Sequence, residues 1–317
     1  MALEIQNAII KLSEGSQTLT FGGPIKQYVA GLTGFNMSYA GGKGHDVQTC
    51  SLGLQFNQPI ANQLTVKVDA RLSDNGGNNL DTPAAWVAIG VLAVVDVDPD
   101  NITLKNETGI PSGGRSNGIP LADSTPVLNV AVLSGFDLSY GSGSDHDVQV
   151  IDASVSISQD AGTDYVEGEA LMKDGGKNSA STAKVDGGAL ATFKTNAGVV
   201  LNPILGKQST SAITVEMADL VPSGYRLGGT VAVVLTGYQI SYGGSTGNDV
   251  NTLGAGLIAG GGYDGVWASP GLPTVDGTVV TIPGPQSYMY DLGITNHPQD
   301  NEESYVDLMV IGLLLPV

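Results

Sequence analysis

The sequence predicts an all-β protein made of three tandem antiparallel β-sandwich repeats of about 100 residues, with jelly-roll-like strand order. Three observations lead to this prediction. One motif occurs three times at an almost equal period, glycine accounts for 45 of the 317 residues, and charged residues make up only 14%. Short apolar segments separated by glycine-rich turns are typical of strands joined by tight connections.

The repeated motif is the strongest of these observations. It reads LTGFNMSYAGGKGHDV at 32–47, LSGFDLSYGSGSDHDV at 133–148 and LTGYQISYGGSTGNDV at 235–250. Its glycines, Gly34, Gly135 and Gly237, are 101 (135 − 34) and 102 (237 − 135) residues apart. A period of this length suits a complete small domain and is too long for a solenoid repeat.

The equal period divides the chain into three predicted domains, residues 1–108, 109–209 and 210–317. The first boundary falls in a segment rich in glycine, proline and serine, KNETGIPSGGRSNGIPLADSTP (105–126), as expected for a linker. The third domain carries a diverged insertion, GGGYDGVWASPGLPTVDGTVVTIPGPQ (260–286).

Within the second copy of the motif, the residue pattern predicts strand, turn and strand in order. Phe136, Leu138 and Tyr140 alternate with polar residues, which indicates a half-buried strand. The segment 141–146 is rich in glycine and serine and favours a hairpin-like turn. The next strand changes the parity of its apolar residues near Ile151 and Asp152, which predicts a β-bulge or a bend.

The chain has a single cysteine, Cys50, which excludes an intrachain disulfide. Cys50 lies sixteen residues after its motif glycine (50 − 34), as do Ile151 (151 − 135) and Leu253 (253 − 237). Because the equivalent residues are apolar, we expect Cys50 to be a packed, buried thiol.

The charge balance bounds the partners. The formal net charge is 13 − 31 = −18, which disfavours nucleic acids and anionic membranes. The longest apolar run, residues 84–95, is too short for a membrane-spanning helix. The N-terminal residues lack the pattern of a secretory signal. We therefore expect synthesis in the cytoplasm without a signal peptide, and action in a particle or on an extracellular surface.

The end of the motif supplies the candidate site residues. An aspartate followed by valine recurs in all three copies and gives a candidate Ca²⁺ site, formed by Asp46, Asp147 and Asp249. The residues before them are candidate ligand contacts: His45, His146 and Asn248. An imidazole that is replaced by an amide in the third copy argues against catalysis. The main interpretation is that these groups hold the turn and the strand entry, with the metal and the ligand as alternatives.

The segment 125–157, TPVLNVAVLSGFDLSYGSGSDHDVQVIDASVSI, is similar to the core of H-type lectin domains. The matching residues are Pro126, Val130, Val132, Leu133, Gly135, Asp137, Val148 and Val150. The basic residue expected after the loop is missing, since His146 and Asp147 stand there, and the other copies have Asn36 and Gln239 in place of the aspartate. The resemblance implies a six-stranded sandwich and three in-chain copies that mimic a lectin trimer. It carries no sugar-binding site over to this chain.

No catalytic set of residues survives the comparison of the three copies, so the sequence predicts a protein that is not an enzyme. The leading hypothesis is a structural subunit of a multimeric assembly, such as a virion, a phage-tail-like particle or an extracellular filament. Its partners would be other copies of itself or other subunits. The alternative is a lectin-like carbohydrate-binding module. A third option, a carboxylate pair hidden in the diverged segment 263–303, has no spacing that selects its members.

Overall fold

The computed structural model describes residues 2–41, 44–96, 101–121, 125–176, 178–194, 198–243, 247–259, 268–291 and 303–317. Over these ranges the chain is all-β with several antiparallel sheets, which confirms the all-β part of the predicted fold class. They contain a short 3₁₀ turn at Ala218–Leu220 and no α-helix. None of these residues forms a helix that is both long and apolar enough to cross a membrane.

The strands follow the alternating apolar pattern of the sequence. In chain order they are β1 (Ala2–Lys11), β2 (Ser16–Thr20), β3 (Ile25–Ser38), β4 (Thr49–Asn57), β5 (Gln63–Ser73), β6 (Trp86–Val95), β7 (Ile102–Pro111), β8 (Gly114–Arg115), β9 (Ile119–Pro120), β10 (Leu128–Ser139), β11 (Val150–Asp160), β12 (Thr163–Lys173), β13 (Thr182–Thr192), β14 (Val199–Lys207), β15 (Ile213–Glu216), β16 (Tyr225–Ser241), β17 (Thr252–Ala259), β18 (Ser269–Pro270), β19 (Thr274–Asp276), β20 (Val279–Ile282), β21 (Pro285–Tyr290) and β22 (Tyr305–Pro316).

Three large sheets hold most of these strands, and each sheet combines two sequence repeats. The first has the order β1-β6-β3-β17-β18, with β21 also paired to β17. The second has the order β2-β5-β4-β10-β13-β7. The third has the order β14-β22-β16-β11-β12-β8, with β9 paired to β12, and a small fourth sheet has the order β15-β20-β19.

We call the three pairings between repeats seams: the β4–β10 seam, the β11–β16 seam and the β17–β3 seam. They share one register, shown by the partners Thr49 and Ser139, Val150 and Ser241, and Thr252 and Ser38. In each seam a residue fifteen past one motif glycine (49 − 34) pairs with a residue four past the next (139 − 135). Because the β17–β3 seam returns to the first repeat, the three repeats close a ring.

The motif glycines are explained by how closely the backbones approach at the seams. A Cβ atom on Gly135 would lie 2.5 Å from the carbonyl oxygen of Leu52 in the neighbouring repeat. A Cβ atom on Gly34 would lie 2.9 Å from the amide nitrogen of Leu257, also across a seam. Any larger residue would push the two strands apart, so the motif requires glycine at this position.

The residues after the motif glycines meet at the centre of the ring. The ring centroids of Phe35 and Phe136 are 5.4 Å apart, those of Phe35 and Tyr238 are 5.4 Å apart, and those of Phe136 and Tyr238 are 5.6 Å apart. All three are buried. Three equivalent residues in mutual contact define a central axis, and an apolar core from all three large sheets lies along it: Ile5, Val29, Leu92, Val132, Leu190, Val234 and Ile311 are among its members.

The prediction for Cys50 is confirmed, because its side chain is fully buried in the main core. The strands near the predicted domain boundaries pair with strands that come later in the chain. Strand β7 crosses residue 108 and pairs with β13 of the second repeat, and β14 pairs with β22 of the third. The boundaries at 108 and 209 therefore remain sequence predictions, with β7 lying on both sides of the first.

Asparagine side chains tie two of the terminal strands, β1 and β7, to a neighbouring sheet. The side chain of Asn106 on β7 accepts a hydrogen bond from the Ala30 amide (3.0 Å) and donates one to the Tyr28 carbonyl (3.2 Å). Asn7 on β1, at the same register position, donates to the Val231 carbonyl (2.8 Å). The equivalent residue on β14 is Pro203, whose side chain cannot make the contact.

One core position breaks the apolar pattern. Asp164 on β12 is fully buried, whereas the equivalent residue of the first repeat is Leu64. Burial raises the pKa of Asp164, although the polar side chains of Asn129 and Gln159 act in the opposite direction. Neither carboxylate oxygen has a partner within hydrogen-bond geometry in the described part of the chain. Burial therefore shifts this carboxyl group towards its protonated form relative to a solvent-exposed aspartate.

We expect Phe35→Ala to destabilise the protein by about 3–5 kcal/mol, because it removes one of the three rings that meet on the axis. Urea denaturation measures the loss. Ile60→Ala, at a side chain that is 55% exposed, is the control and should change stability by less than about 0.5 kcal/mol. Equal effects of the two changes would contradict the central role of the aromatic contact.

We expect Asp164→Asn to be more stable than the wild type at pH 8 by roughly 1 kcal/mol or more, and the difference to shrink towards pH 4. A raised pKa means that the folded state binds more protons than the unfolded state. Stability from this group is therefore present at low pH and is lost as the pH rises above about 4. Urea titrations at both pH values measure it, with the exposed Asp160→Asn of the same repeat as control. A pH-independent difference would refute this account.

Candidate functional site

Three short segments, 45–47, 146–148 and 248–250, form a closed set of backbone hydrogen bonds at one end of the axis. His45 exchanges hydrogen bonds with Val250 (3.0 and 2.9 Å), and Val47 does so with His146 (2.9 and 3.2 Å). Val148 and Asn248 complete the set (3.0 and 3.1 Å). Each segment pairs with both of the others, so we call this arrangement the backbone triangle.

The middle residue of each segment is the recurring aspartate. One carboxylate oxygen from each of Asp46, Asp147 and Asp249 lies within 4.8 Å of the other two. Asp46 and Asp249 are half-buried and Asp147 is exposed. The structure thus brings together, from three distant parts of the chain, the three residues that the sequence predicts as a site. We call them the aspartate triad.

Crowding in the triad shifts the pKa of Asp46 and of Asp249. Burial, a hydrogen bond with the Asp147 carboxyl group and the charges of nearby aspartates raise the pKa of Asp46 to about 7. Burial and the charges of Asp291 and Asp147 raise the pKa of Asp249, against the opposing effect of His45. Repulsion among carboxylates at this distance is relieved by a shared proton or by a bound cation.

Two of the predicted ligand contacts form histidine–aspartate pairs around the triad. Nδ1 of His45 lies 3.5 Å from Oδ2 of Asp74, and Nδ1 of His146 lies 3.3 Å from Oδ2 of Asp174. The imidazoles also pack on aromatic rings of the motif, His45 on Tyr39 (5.0 Å between centroids) and His146 on Tyr140 (4.5 Å). These contacts hold the imidazoles beside the triad.

The paired aspartates also shape their own loops. The Asn78 amide donates to Oδ1 of Asp74 (2.7 Å), and the Asn178 amide donates to Oδ1 of Asp174 (2.9 Å). Burial raises the pKa of Asp74, but the hydrogen bonds from Asn78 and the charge of His45 outweigh it, and the net pKa is lowered. The loop of the first repeat is also held from outside, because the Asn75 amide donates to Oδ2 of Asp145 in the second repeat (3.0 Å).

In the third repeat the residue equivalent to Asp74 is Asp291, which sequence comparison misses. Asp291 follows β21 and corresponds to Asp74, because the bond from the Asn251 amide to the Tyr290 carbonyl matches the one from Gln48 to Ser73. Its side chain is buried, and a Cβ atom on Gly44 would lie 2.3 Å from its Oδ1 atom. Asp291 has no glycine-asparagine loop after it in the sequence, so only strand register reveals the equivalence.

Two of the three motif tyrosines donate hydrogen bonds to the backbone of the triad. Oη of Tyr39 donates to the Asp46 carbonyl (3.0 Å), and Oη of Tyr242 donates to the Asp249 carbonyl (2.8 Å). The hydroxyl of Tyr140, the equivalent residue of the second repeat, has no hydrogen-bond partner within the described part of the chain. Two of the three aspartate backbones are therefore fixed by a buried phenol.

A polar pocket of about 510 Å³ opens beside the triad, and most of its lining residues belong to the second repeat. Its walls come from all three repeats: Asp46, Asp145, His146, Asp147, Asp174, Gly175, Gly176 and Gly247. With four carboxylates and an imidazole in its lining, this pocket suits a cationic or hydroxyl-rich ligand.

The structure thus places all six predicted site residues at one end of the axis. Asp46, Asp147 and Asp249 form the triad, His45 and His146 lie around it, and Asn248 belongs to the backbone triangle. Of the acids in the diverged segment, Asp264, Asp300 and Glu302 lie outside the described residues.

Comparison with known proteins adds no relative: no protein-family model matches the chain, and neither does any curated protein sequence.

We expect Asp46→Asn to raise the thermal unfolding midpoint at pH 8, and the gain to disappear towards pH 4. A pKa raised from 3.8 to about 7 means that the folded state binds the extra proton, so this group's stability falls as pH rises through that window. Melting curves from pH 4 to 9 measure the effect. The exposed Asp69→Asn is the control, and an equal gain in both variants would refute the role of the triad.

Proposed function

We propose that this chain is a non-catalytic structural subunit of a larger assembly, in which one polypeptide takes the place of a trimer. In this proposal each repeat is one jelly-roll-like β-sandwich, with limits near 1–108, 109–209 and 210–317. The observation that carries the proposal is the ring of three seams with one register. Its three parts share the apolar core on the axis, so they are suited to act as one rigid block.

The ends of the large sheets supply surfaces for assembly. Strands β1, β7 and β14 are the terminal strands at one end of each large sheet, and β1 and β7 are already tied to neighbouring sheets through Asn7 and Asn106. A terminal strand offers backbone N–H and C=O groups to a neighbouring chain. On β14, Leu205 is 66% exposed, which is unusual for a large apolar side chain and suits a contact with another subunit.

Light scattering and negative-stain microscopy of the purified protein test the proposal. We expect rings, tubes or filaments with masses above the 32.4 kDa of one chain. Leu205→Glu should reduce the assembled fraction, whereas Ile60→Glu, at another exposed apolar residue, should not. A uniform 32 kDa monomer at all concentrations would overturn the assembly proposal.

We further propose that Ca²⁺ can occupy the aspartate triad, because three carboxylate oxygens within 4.8 Å of one another suit a hard cation. We expect added Ca²⁺ to raise the unfolding midpoint of the wild type at pH 8 and EDTA to reverse it. Asp249→Asn should abolish the response, with Asp69→Asn as control. A Ca²⁺ response that is the same in both variants would reject this site.

The polar pocket favours a second candidate, a lectin-like module that binds a carbohydrate. Carboxylate, imidazole and backbone groups around a 510 Å³ cavity suit sugar hydroxyls. A glycan array on the wild type tests this function. His146→Ala should abolish any binding, whereas His45→Ala, at the equivalent residue outside the pocket lining, should retain it. Equal binding by the wild type and both variants would place the ligand elsewhere.

A further inference from the structure

Residues 268–291 of the third repeat, which contain β18, β19, β20 and β21, form a segment that we call the strap. It includes most of the diverged insertion. Part of the strap lies over the β17–β3 seam, where the third repeat meets the first.

The β17–β3 seam differs from the other two in its position along the chain. The other seams join consecutive repeats, whereas Thr252 and Ser38 are 214 residues apart (252 − 38). Closing this seam brings together the two ends of the ring, so it carries the largest loss of chain entropy. Contacts that hold the seam therefore decide whether the ring stays closed.

A tyrosine of the strap reaches across the seam. Tyr288 pairs with Gly254 on β17, and Gly254 pairs with Asn36 on β3, so the three residues form one row. Since Gly254 has no side chain, the Tyr288 hydroxyl passes over it and donates to Oδ1 of Asn36 (2.6 Å). A Cβ atom on Gly254 would lie 2.7 Å from that hydroxyl. Both Tyr288 and Asn36 are buried.

A tryptophan of the first repeat extends the same row. Trp86 on β6 pairs with Asn36, and its Nε1 donates to the carbonyl of Ala268 in the strap (2.8 Å). Trp86 also packs with Ile258 and Tyr288 in a small apolar core of its own, separate from the two larger ones. The strap therefore contacts the first repeat through hydrogen bonds and through buried apolar surface.

The other side of the strap is fixed to Gln208, which follows β14, and to β16 of its own repeat. The amide and carbonyl of Ser287 bond to the side chain of Gln208 (2.9 and 2.7 Å), and its hydroxyl donates to the Gln239 carbonyl (2.6 Å). An element that is anchored in the third repeat and holds Asn36 and Trp86 of the first acts as a clasp between them.

We propose that the strap is a conformational lock that keeps the ring closed at the β17–β3 seam, and that weakening it opens this seam before the other two. This inference does not depend on the assembly function. It assigns a role to a segment that joins most of the diverged insertion to β21, the counterpart of β5.

Hydrogen exchange measured by mass spectrometry on the full chain tests the lock. In Tyr288→Phe combined with Trp86→Phe, we expect amide exchange in segments 34–38 and 252–256 to rise at least tenfold. Segments 49–52 and 150–154, in the other seams, should keep their wild-type rates. Both replacements retain an aromatic ring, so the small core keeps most of its apolar volume, with a smaller side chain at position 86.

A matched control and a rescue complete the experiment. Ser139→Ala removes the hydroxyl contact to Thr49 at the β4–β10 seam (3.1 Å) and should leave the β17–β3 seam protected. Ser38→Cys with Thr252→Cys, at paired positions whose hydroxyls are 2.8 Å apart, should form a disulfide that restores protection. Unchanged exchange at the β17–β3 seam, or an equal rise at all three seams, would overturn the proposal.

Discussion

The backbone triangle formed by segments 45–47, 146–148 and 248–250 is the constraint on which the rest of this structure depends. Each segment satisfies its amide and carbonyl groups with two different repeats, so no pair of repeats can complete the set alone. Unpaired backbone groups at this place would lose hydrogen bonds that neighbouring side chains cannot replace. The same closure fixes the common register of the seams and the contact of the three aromatic rings on the axis.

The triangle also creates an electrostatic conflict. It forces three carboxylates together in a protein whose net charge is already −18. The histidine–aspartate pairs and the loops that Asp74 and Asp174 cap surround this point with further acids. Such a concentration of like charge lowers the free energy of unfolding. Its persistence in all three copies of the motif fits a place where a proton or a cation is held.

Much of the architecture is readable from the sequence, because the motif records what the seams require. Gly135 marks close backbone approach, Phe136 marks the axis, and Asp147 marks the triad. What the sequence does not reveal is which strands pair between repeats. A strand edge that pairs within its own repeat and one that pairs with a neighbouring repeat have the same alternating pattern of apolar and polar residues. The sequence therefore predicts three separate domains.

The site was predictable only where the three copies agree. Asp46, Asp147 and Asp249 recur at one position, which is why they emerge as a set. Asp291 replaces a partner whose local loop has changed, and only strand register identifies it. Asp164 contradicts the apolar alternation of its own strand, so a pattern of hydrophobic residues predicts leucine there, as in Leu64.

Joining the three repeats in one chain has a genetic consequence at the axis. In an assembly of identical subunits, any substitution on the symmetry axis appears three times at once, and its steric effects are multiplied. Here Phe35 and Phe136 share the axis with Tyr238, so a single buried hydroxyl stands where a homotrimer would have three or none. The codons for the three equivalent axial residues can therefore mutate independently. Each substitution changes only one of the three axial side chains, so asymmetry can accumulate one residue at a time.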